Sequence, residues 1–331
     1  MQDHSLLGPW IRRFLLEYLV TDCNFSRNTQ VSYRDTLLLL LLFLSKAQKK
    51  AVDRLTIDDL SPSRVRSFLE YVNQERGCGG TTRNLRLATI HSLVKFIGMH
   101  SPEHVAWCGE IRAVPFKKTE TSTLIYLEKP EIDALLSTPD RHTPQGRRDY
   151  ALLLFLYNTG ARASEAAHLT VGDITSGSSP AVHLVGKSNK TRWCPIWVHT
   201  EAILKPMIAG RGAQDFVFLN RLSQPLTRFG IYNIVRRSVE RASRSLPSLK
   251  AKRISPHCLR HTCAVHLLRS GVDINTIRAW LGHVSLDTTH IYAEIDLEMK
   301  ANALAHCDLP DKATIKTWHT DKGLIGFLKA L

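Results

Sequence analysis

The chain has 331 residues, which predicts two domains at about 100–200 residues per domain. Apolar residues make up 44% of it, enough for ordinary hydrophobic cores, so the composition excludes wholesale disorder. Basic side chains number 44 and acidic ones 30, a formal charge of +14, and this excess favours an anionic partner, nucleic acid before a membrane surface.

The cysteine spacing and the length of the apolar runs indicate in which cellular compartment the protein is expected. None of the seven cysteines forms a Cys-x-x-Cys pair, which disfavours a disulfide framework or a thiolate zinc knuckle and fits a reducing cytosol. Asp3, Arg12, Arg13 and Glu17 interrupt any signal-peptide core. The longest apolar run, Leu37 to Leu44, is shorter than the about 20 residues of a membrane helix, so it is predicted to be a buried helix. We therefore expect a soluble, cytoplasmic protein without a membrane partner.

Residues 1–112 have a helical pattern throughout. Asn28 or Thr29 can cap a helix that runs into the leucine block, and Ser61-Pro62 opens another. Glycines in the segment 77–80 break the chain, after which Thr81 or Thr82 can cap a third helix.

The helical pattern lapses over residues 113–123, where prolines and lysines precede a Thr/Ser-rich stretch. We interpret this segment as a linker between a helical domain, 1–112, and a second domain, 124–310, with a tail at 311–331. Residues 1–120 hold 17 basic and 12 acidic side chains, and residues 121–331 hold 27 and 18. A basic balance on both sides of the linker suits two domains that touch the same polyanion.

The second domain combines helices with a small hairpin. Helices are predicted near Lys129–Ser137 and Arg148–Thr159, with Gly160 ending the latter. Residues Ala181–Val185 and Trp193–Val198 are predicted strands around a turn at 186–190, and the remainder is predicted helical.

Two of four short segments in this domain place cations at turns. In TGARASE, residues 159–165, Arg162 lies at the helix end and Glu165 can orient it, so that its planar fork of donors matches phosphate oxygens. In the hairpin turn, Lys187 can donate a proton to a leaving oxygen. Taken alone, the first pair is also typical of a surface salt bridge, and the second residue of a solvated turn.

The third segment is SPHCLRHT, residues 255–262. Ser255 and Pro256 favour a helix start, and His257 and Arg260 share one face of its first turn, next to the positive end of the helix dipole. This arrangement is typical of an anion site. The region upstream, 228–253, carries eight arginines and lysines against one glutamate, which indicates an electrostatic footprint more than a solvated helix face.

The fourth segment is Trp280-Leu281-Gly282-His283 with Tyr292 nine residues further on, after a helix that Asp273 caps and Gly282 ends. By itself Tyr292 would be taken for a packing residue. The histidines and cysteines between 257 and 266 also raise a metal reading, but no glutamate lies between His257 and His261, and the cysteines point to different sides of the helix. We expect no metal and no cofactor.

These segments together resemble the tyrosine recombinases, the phage-integrase-like enzymes that include the Xer recombinases and lambda integrase. The resemblance covers residues 124–300 in order and spacing, and the helical domain is similar to the family's SAM-like core-binding domain through RNT at 27–29, Tyr33-Arg34 and Arg83. It implies a mainly α fold with a small β-sheet, in which a helical core-binding domain precedes a mixed α/β catalytic domain. The family usually has a larger aliphatic residue where Ala161 stands.

The resemblance also implies a mechanism. Tyr292 attacks a DNA phosphodiester to form a 3′-phosphotyrosyl link, and Arg162 and Arg260 clamp the non-bridging oxygens. Lys187 is the general acid for the 5′-oxygen, His257 a proton acceptor or hydrogen-bond partner, and His283 a hydrogen-bond donor in the transition state. Two arginines, one lysine and two histidines supply the charge neutralisation that phosphoryl transfer needs. They also favour the phenolate of a tyrosine whose free pKa is about 10.

Double-stranded DNA is the implied partner, with a homo-tetramer that joins two sites and can include related recombinase subunits. We expect the apolar tail, 311–331, to dock on a neighbouring subunit. A type IB topoisomerase-like enzyme and a catalytically silent DNA-binding protein are the alternatives. We expect DNA contacts from Arg34, Arg83, Arg86, Lys190, Arg192, Arg236 and Arg237.

Overall fold

The computed structural model describes residues 5–119, 124–186 and 189–282. The chain divides into two compact units, 1–122 and 123–331, each with its own hydrophobic core. None of the helices within the described ranges combines the length and apolarity that crossing a bilayer requires.

The named elements described in the first unit are all helices, beside an isolated β-bridge between Leu6 and Thr56. Helix α1 (Leu7–Arg13) continues into π-helical residues Phe14–Asp22, and α2 (Arg27–Gln48), α3 (Pro62–Gln74), α4 (Gly80–His100) and α5 (Val105–Arg112) follow. The leucine run of α2 is only partly buried: Leu37, Leu40 and Leu44 are in the core, whereas Leu38 and Leu42 are 55% and 53% exposed. The expectation of a wholly buried run was wrong, because 3.6 residues per turn carries eight consecutive residues around every face of a helix.

The observed N-caps agree with the predicted helix start at α3 and differ from the predicted ones at α2 and α4. The Ser61 hydroxyl accepts from the Arg64 amide, with Pro62 in the first turn, as expected. Helix α2 is capped by Ser26, whose hydroxyl accepts from the Thr29 amide, and not by Asn28 or Thr29 themselves. The N-cap of helix α4 is Gly79, which lies two residues before the predicted cap Thr81 and three before Thr82.

The segment expected to be a linker begins against the first unit. Val114 is 1% exposed within that core, and Arg83 of α4 donates to the Pro115 carbonyl. The Asn84 side chain accepts from the Lys117 amide and donates to the Lys117 carbonyl. Residues 114–117 are therefore held on the surface of α4.

The second unit wraps helices around α7 and a small sheet. Up to residue 282, its α-helices are α6 (Lys129–Leu136), α7 (Pro144–Thr159), α8 (Ala163–His168), α9 (Val198–Ile208), α10 (Arg228–Ser245), α11 (Pro256–Arg269) and α12 (Ile274–Leu281). Helix α7 is buried from Tyr150 to Thr159 and packs against α9 and α11, because its apolar residues occupy every face. It begins earlier than predicted, with the Thr143 hydroxyl as its cap.

The sheet has three antiparallel strands in the order β1 (Ile174–Thr175), β2 (Ala181–Val185) and β3 (Thr191–Pro195). The predicted hairpin is present, with His183 opposite Trp193. Strand β3 starts two residues before the predicted start and ends at Pro195, since Thr191 and Arg192 pair with Val185 and Leu184. The short strand β1 was not predicted.

Candidate active site

Arg162 lies at the corner between α7 and α8. Gly160 ends α7 with a φ of +60°, and a methyl group there would meet a Leu281 side-chain carbon at 2.5 Å. Two residues later Arg162 becomes the N-cap of α8, and its guanidinium is 35% exposed. The glycine thus lets the chain turn sharply, and the turn leaves this arginine accessible from outside the unit.

Glu165 is the buried carboxylate that holds the corner. Its side chain is 1% exposed, and it accepts from the Arg162 amide at 2.9 Å and from Arg162 Nη1 at 2.7 Å. A second guanidinium, that of Arg192 on β3, binds both carboxylate oxygens at 2.7 and 3.2 Å. Burial alone would raise the pKa of Glu165, but the hydrogen bonds and charge of Arg192, with those of Arg162, lower it below its ordinary value.

Arg260 caps two helices at once. Its side chain is 1% exposed, and it donates from Nη1 to the Gly160 carbonyl at 2.7 Å and from Nη2 to the Leu281 carbonyl at 2.6 Å. These carbonyls end α7 and α12, where backbone acceptors lack intrahelical donors and carry partial negative charge. The guanidinium therefore joins the corner that carries Arg162 to the turn that precedes His283.

His257 lies in the first turn of α11, where Pro256 begins the helix as predicted. Ser255 occupies the N-cap position, but its side chain makes no capping hydrogen bond. Partial desolvation, with the charges of Arg260 and Arg162, lowers the pKa of His257 below 6.5. Its imidazole is thus mainly neutral at pH 7 and can accept a proton.

A second imidazole stands beside the first. The ring of His261 lies 4.3 Å from that of His257 between centroids, at 71°, and burial, His257 and Arg260 lower its pKa to about 4. Within the described ranges no three histidine, cysteine or acidic side chains gather as a metal site would require.

The hairpin turn also meets the Arg162 corner. A methyl group on Gly186 would lie 3.2 Å from Glu165 Oε1 and 3.7 Å from Arg162 Nη1. Lys187 follows Gly186 in the chain, but it lies outside the described residues, as do His283, Tyr292 and the tail 311–331. Of the six predicted catalytic residues, the structure therefore places Arg162, His257 and Arg260, and it brings these three together.

The predicted DNA contacts have different surroundings. Lys190 and Arg237 are exposed, and Arg34 and Arg236 are exposed in ion pairs with Asp35 and Glu240. Arg83 is half-buried on α4, and Arg86 donates from Nη1 to the Thr36 hydroxyl.

Arg192 differs from the other six because its side chain is 9% exposed and is bound to Glu165 and the Trp280 carbonyl. Sequence reasoning missed this placement, although β-strand alternation puts residue 192 on the same side as the buried Cys194 and opposite the exposed Trp193.

Comparisons with known proteins identify the family of the chain. The Phage integrase family matches residues 126–299, and the N-terminal SAM-like domain of phage integrases matches residues 11–98. The chain is 36% identical over 333 residues to integrase/recombinase y4rC of Sinorhizobium fredii, covering 100% of both chains. It is 31% identical over 299 residues to tyrosine recombinase XerC of Bacillus subtilis, covering 88% of this chain and 93% of that one.

Solved structures share the fold. The Tn1549 transposon integrase in complex with transposon right end DNA aligns with a TM-score of 0.67 at 18% identity, over 89% of this chain and 98% of that one. The XerH site-specific recombinase bound to its difH substrate aligns with a TM-score of 0.64 at 21% identity, over 84% of this chain and 79% of that one. With the family match across both units, this chain belongs to the phage integrase family and is a site-specific tyrosine recombinase, an enzyme that cuts and rejoins DNA.

Proposed function

We propose that the chain binds duplex DNA and cleaves one strand at the pocket formed by Arg162, His257 and Arg260, with Tyr292 as the nucleophile. The observation that carries this proposal is the convergence of the three described residues. Glu165 holds Arg162, and Arg260 donates to the carbonyl of Gly160, two residues before Arg162. His257 lies one turn before Arg260 on α11, and the positive charges of both arginines contribute to its lowered pKa. Fixed cations around one phosphate position supply preorganised charge stabilisation.

In the cleavage step, the Tyr292 oxygen bonds to phosphorus and the bond to the 5′-oxygen breaks. The phenol proton passes toward His257, which is neutral before reaction, and Lys187 gives a proton to the departing 5′-oxygen. Arg162, whose side chain is 35% exposed, binds the non-bridging oxygens, and the buried Arg260, whose terminal nitrogens are bonded to carbonyls, neutralises their charge from behind; His283 donates to the phosphate. The 3′-phosphotyrosyl link conserves the phosphodiester bond energy, so attack by a new 5′-hydroxyl reverses the step without ATP, a metal or another cofactor.

Trapping of a covalent complex tests the chemistry. Nicked duplexes taken from the DNA that flanks the gene should yield a protein–DNA adduct that survives denaturation, because the short strand diffuses away after cleavage. Tyr292→Phe should keep DNA affinity and form no adduct. An adduct that persists in this variant would show that another residue is the nucleophile, and binding without any adduct from the wild type would point to a silent DNA-binding protein.

Product topology separates recombination from simple relaxation. We propose that two DNA sites are joined in a homo-tetramer, alone or with related recombinase subunits, on a mobile element or in an Xer-like chromosome system in the cytoplasm. A plasmid with two sites should then give deletion or inversion products. Relaxation of a one-site plasmid at the same rate, without such products, would favour the topoisomerase-like alternative.

The tail at 311–331 is proposed to dock on a neighbouring subunit through its apolar residues. Deletion of this segment should weaken the pairing of two sites while single-site cleavage continues. Pairing at the wild-type level after deletion would refute a role in assembly.

A further inference from the structure

The side-chain nitrogens of Arg192 all donate hydrogen bonds to groups of the protein itself. Its two terminal nitrogens bind the two oxygens of Glu165, and its Nε donates to the Trp280 carbonyl at 2.8 Å. The side chain is 9% exposed, and a methyl group on Gly282 would lie 3.1 Å from its Cδ. The guanidinium is therefore enclosed between α8, β3 and the end of α12.

The Arg192 guanidinium connects three segments that carry residues of the proposed catalytic pocket. Glu165 orients Arg162, strand β3 forms one arm of the hairpin that carries Lys187, and Trp280 lies three residues before His283. The partners of Arg192 lie 27 and 88 positions away in the chain, so no local interaction makes this connection. An arginine suits the place because a planar fork can bind a carboxylate with two donors and still offer a third, which a lysine cannot do in the same geometry.

We propose that Arg192 is a positioning residue for cleavage and not a DNA contact: it sets the relative positions of Arg162, the hairpin and the end of α12. This inference rests on the proposed function of the pocket. It replaces the expectation from sequence that Arg192 binds DNA phosphates, a role that fits the exposed Lys190 two residues earlier.

Three variants separate the two roles, namely Arg192→Gln, Arg192→Lys and, as the matched comparison, Lys190→Gln on the same hairpin. The salt dependence of binding to a non-specific duplex counts phosphate contacts. A lost phosphate contact lowers the slope of log affinity against log salt by about 0.9. We expect that change for Lys190→Gln and no change for either Arg192 variant.

Amide hydrogen exchange of the DNA-free protein tests directly whether Arg192 holds α8 and α12 in place. Arg192→Gln should speed exchange at the end of α12 and at the start of α8 by about tenfold or more, because hydrogen bonds of a charged group that tie the two together are lost. Exchange in α4 of the first unit should be unchanged, which serves as the folding control. Lys190→Gln should leave all of these amides at wild-type rates.

The rate of adduct formation on nicked DNA completes the test. At saturating DNA, Arg192→Gln should react on the order of 100-fold more slowly, as expected when reacting groups are displaced by about 1 Å. Arg192→Lys should recover part of that rate, because it keeps a charge beside Glu165. In a Glu165→Gln background, Arg192→Gln should cost much less than in the wild type, since both residues act on the same corner.

Each result decides the question. A salt slope that falls by about 0.9 in Arg192→Gln, with exchange unchanged at α8 and α12, overturns the positioning role in favour of a phosphate contact. If Arg192→Gln does not fold, the same measurements on Arg192→Lys test the proposal. Hydrogen-exchange and cleavage rates equal to those of the wild type in Arg192→Lys would then overturn it. If the wild type forms no adduct, the proposed function fails, while the slope and the exchange rates still decide where Arg192 acts.

Discussion

Gly160 offers the sharpest test of the active-site corner. Substitution Gly160→Ala forces an L-residue to a φ of +60°, which costs about 1–2 kcal/mol, and drives a methyl group to 2.5 Å from a carbon of the fully buried Leu281, which adds about 1–3 kcal/mol. The expected loss in the free energy of unfolding is therefore about 2–5 kcal/mol.

Gly271→Ala is the matched control. Gly271 follows α11, lies in the same unit and has a φ of +82°, but an added methyl group meets no atom of the described residues within 4 Å. Gly271→Ala should lower the free energy of unfolding only by the backbone strain of a positive φ, about 1–2 kcal/mol. The difference between the two variants isolates the contact with Leu281.

Thiol labelling measures these energies in the second unit alone. Cys194 is fully buried there and burial raises its pKa to about 12, so it reacts only after the unit opens. Labelling of Cys194 should accelerate roughly 30-fold to several thousandfold in Gly160→Ala, and about 5- to 30-fold in Gly271→Ala. Cys108 in the first unit, which should label at the same rate in all variants, is the internal control. Equal rates for the two alanine variants at Cys194 would refute the predicted overlap with Leu281.

The remaining predictions concern charge and capping. Glu165→Gln should lower the free energy of unfolding by about 3–5 kcal/mol, since it leaves the enclosed Arg192 without a counter-charge, whereas Glu240→Gln, which breaks an exposed ion pair with Arg236, should change it much less. Because the folded pKa of Glu165 is lowered, its stabilisation is complete above pH 4.5 and is lost as the pH falls through the folded value; acid titration should make the wild type and Glu165→Gln converge below that pH, and a constant gap would contradict the assignment. Asp273→Ala should make Cys194 label faster, since the Asp273 carboxylate caps α12 by accepting from the amides of Asn275 and Thr276, and an unchanged labelling rate would contradict a stabilising cap. Because the pKa of His257 is lowered, the rate of adduct formation should fall to half only below pH 6.5, and a half-maximal rate above that pH in a pH–rate profile would mean that His257 is not the group that takes the proton.

Local signals determined much of the fold in advance. Pro62, Asp273, Gly160 and Gly282 each act within one helical turn, through a ring, a carboxylate or a positive φ, and each lies where the pattern predicted a helix to start or end. Errors of two or three residues in the caps of α2 and α4 have the same local origin, since several capping residues stand close together and only the folded turn selects one.

The resemblance of the motifs from Arg162 to Tyr292, in order and spacing, to the tyrosine recombinases also sufficed to indicate the family, and phosphoryl transfer makes use of such fixed cations. Only the tertiary structure decided what each cation touches. Arg260 binds carbonyls 100 and 21 positions away, and Arg192 is bound to a carboxylate 27 positions away, although both resemble solvent-facing basic residues in the sequence. Whether a guanidinium faces solvent or is enclosed depends on which strands and helix ends pack around it, and that packing is a property of the whole unit.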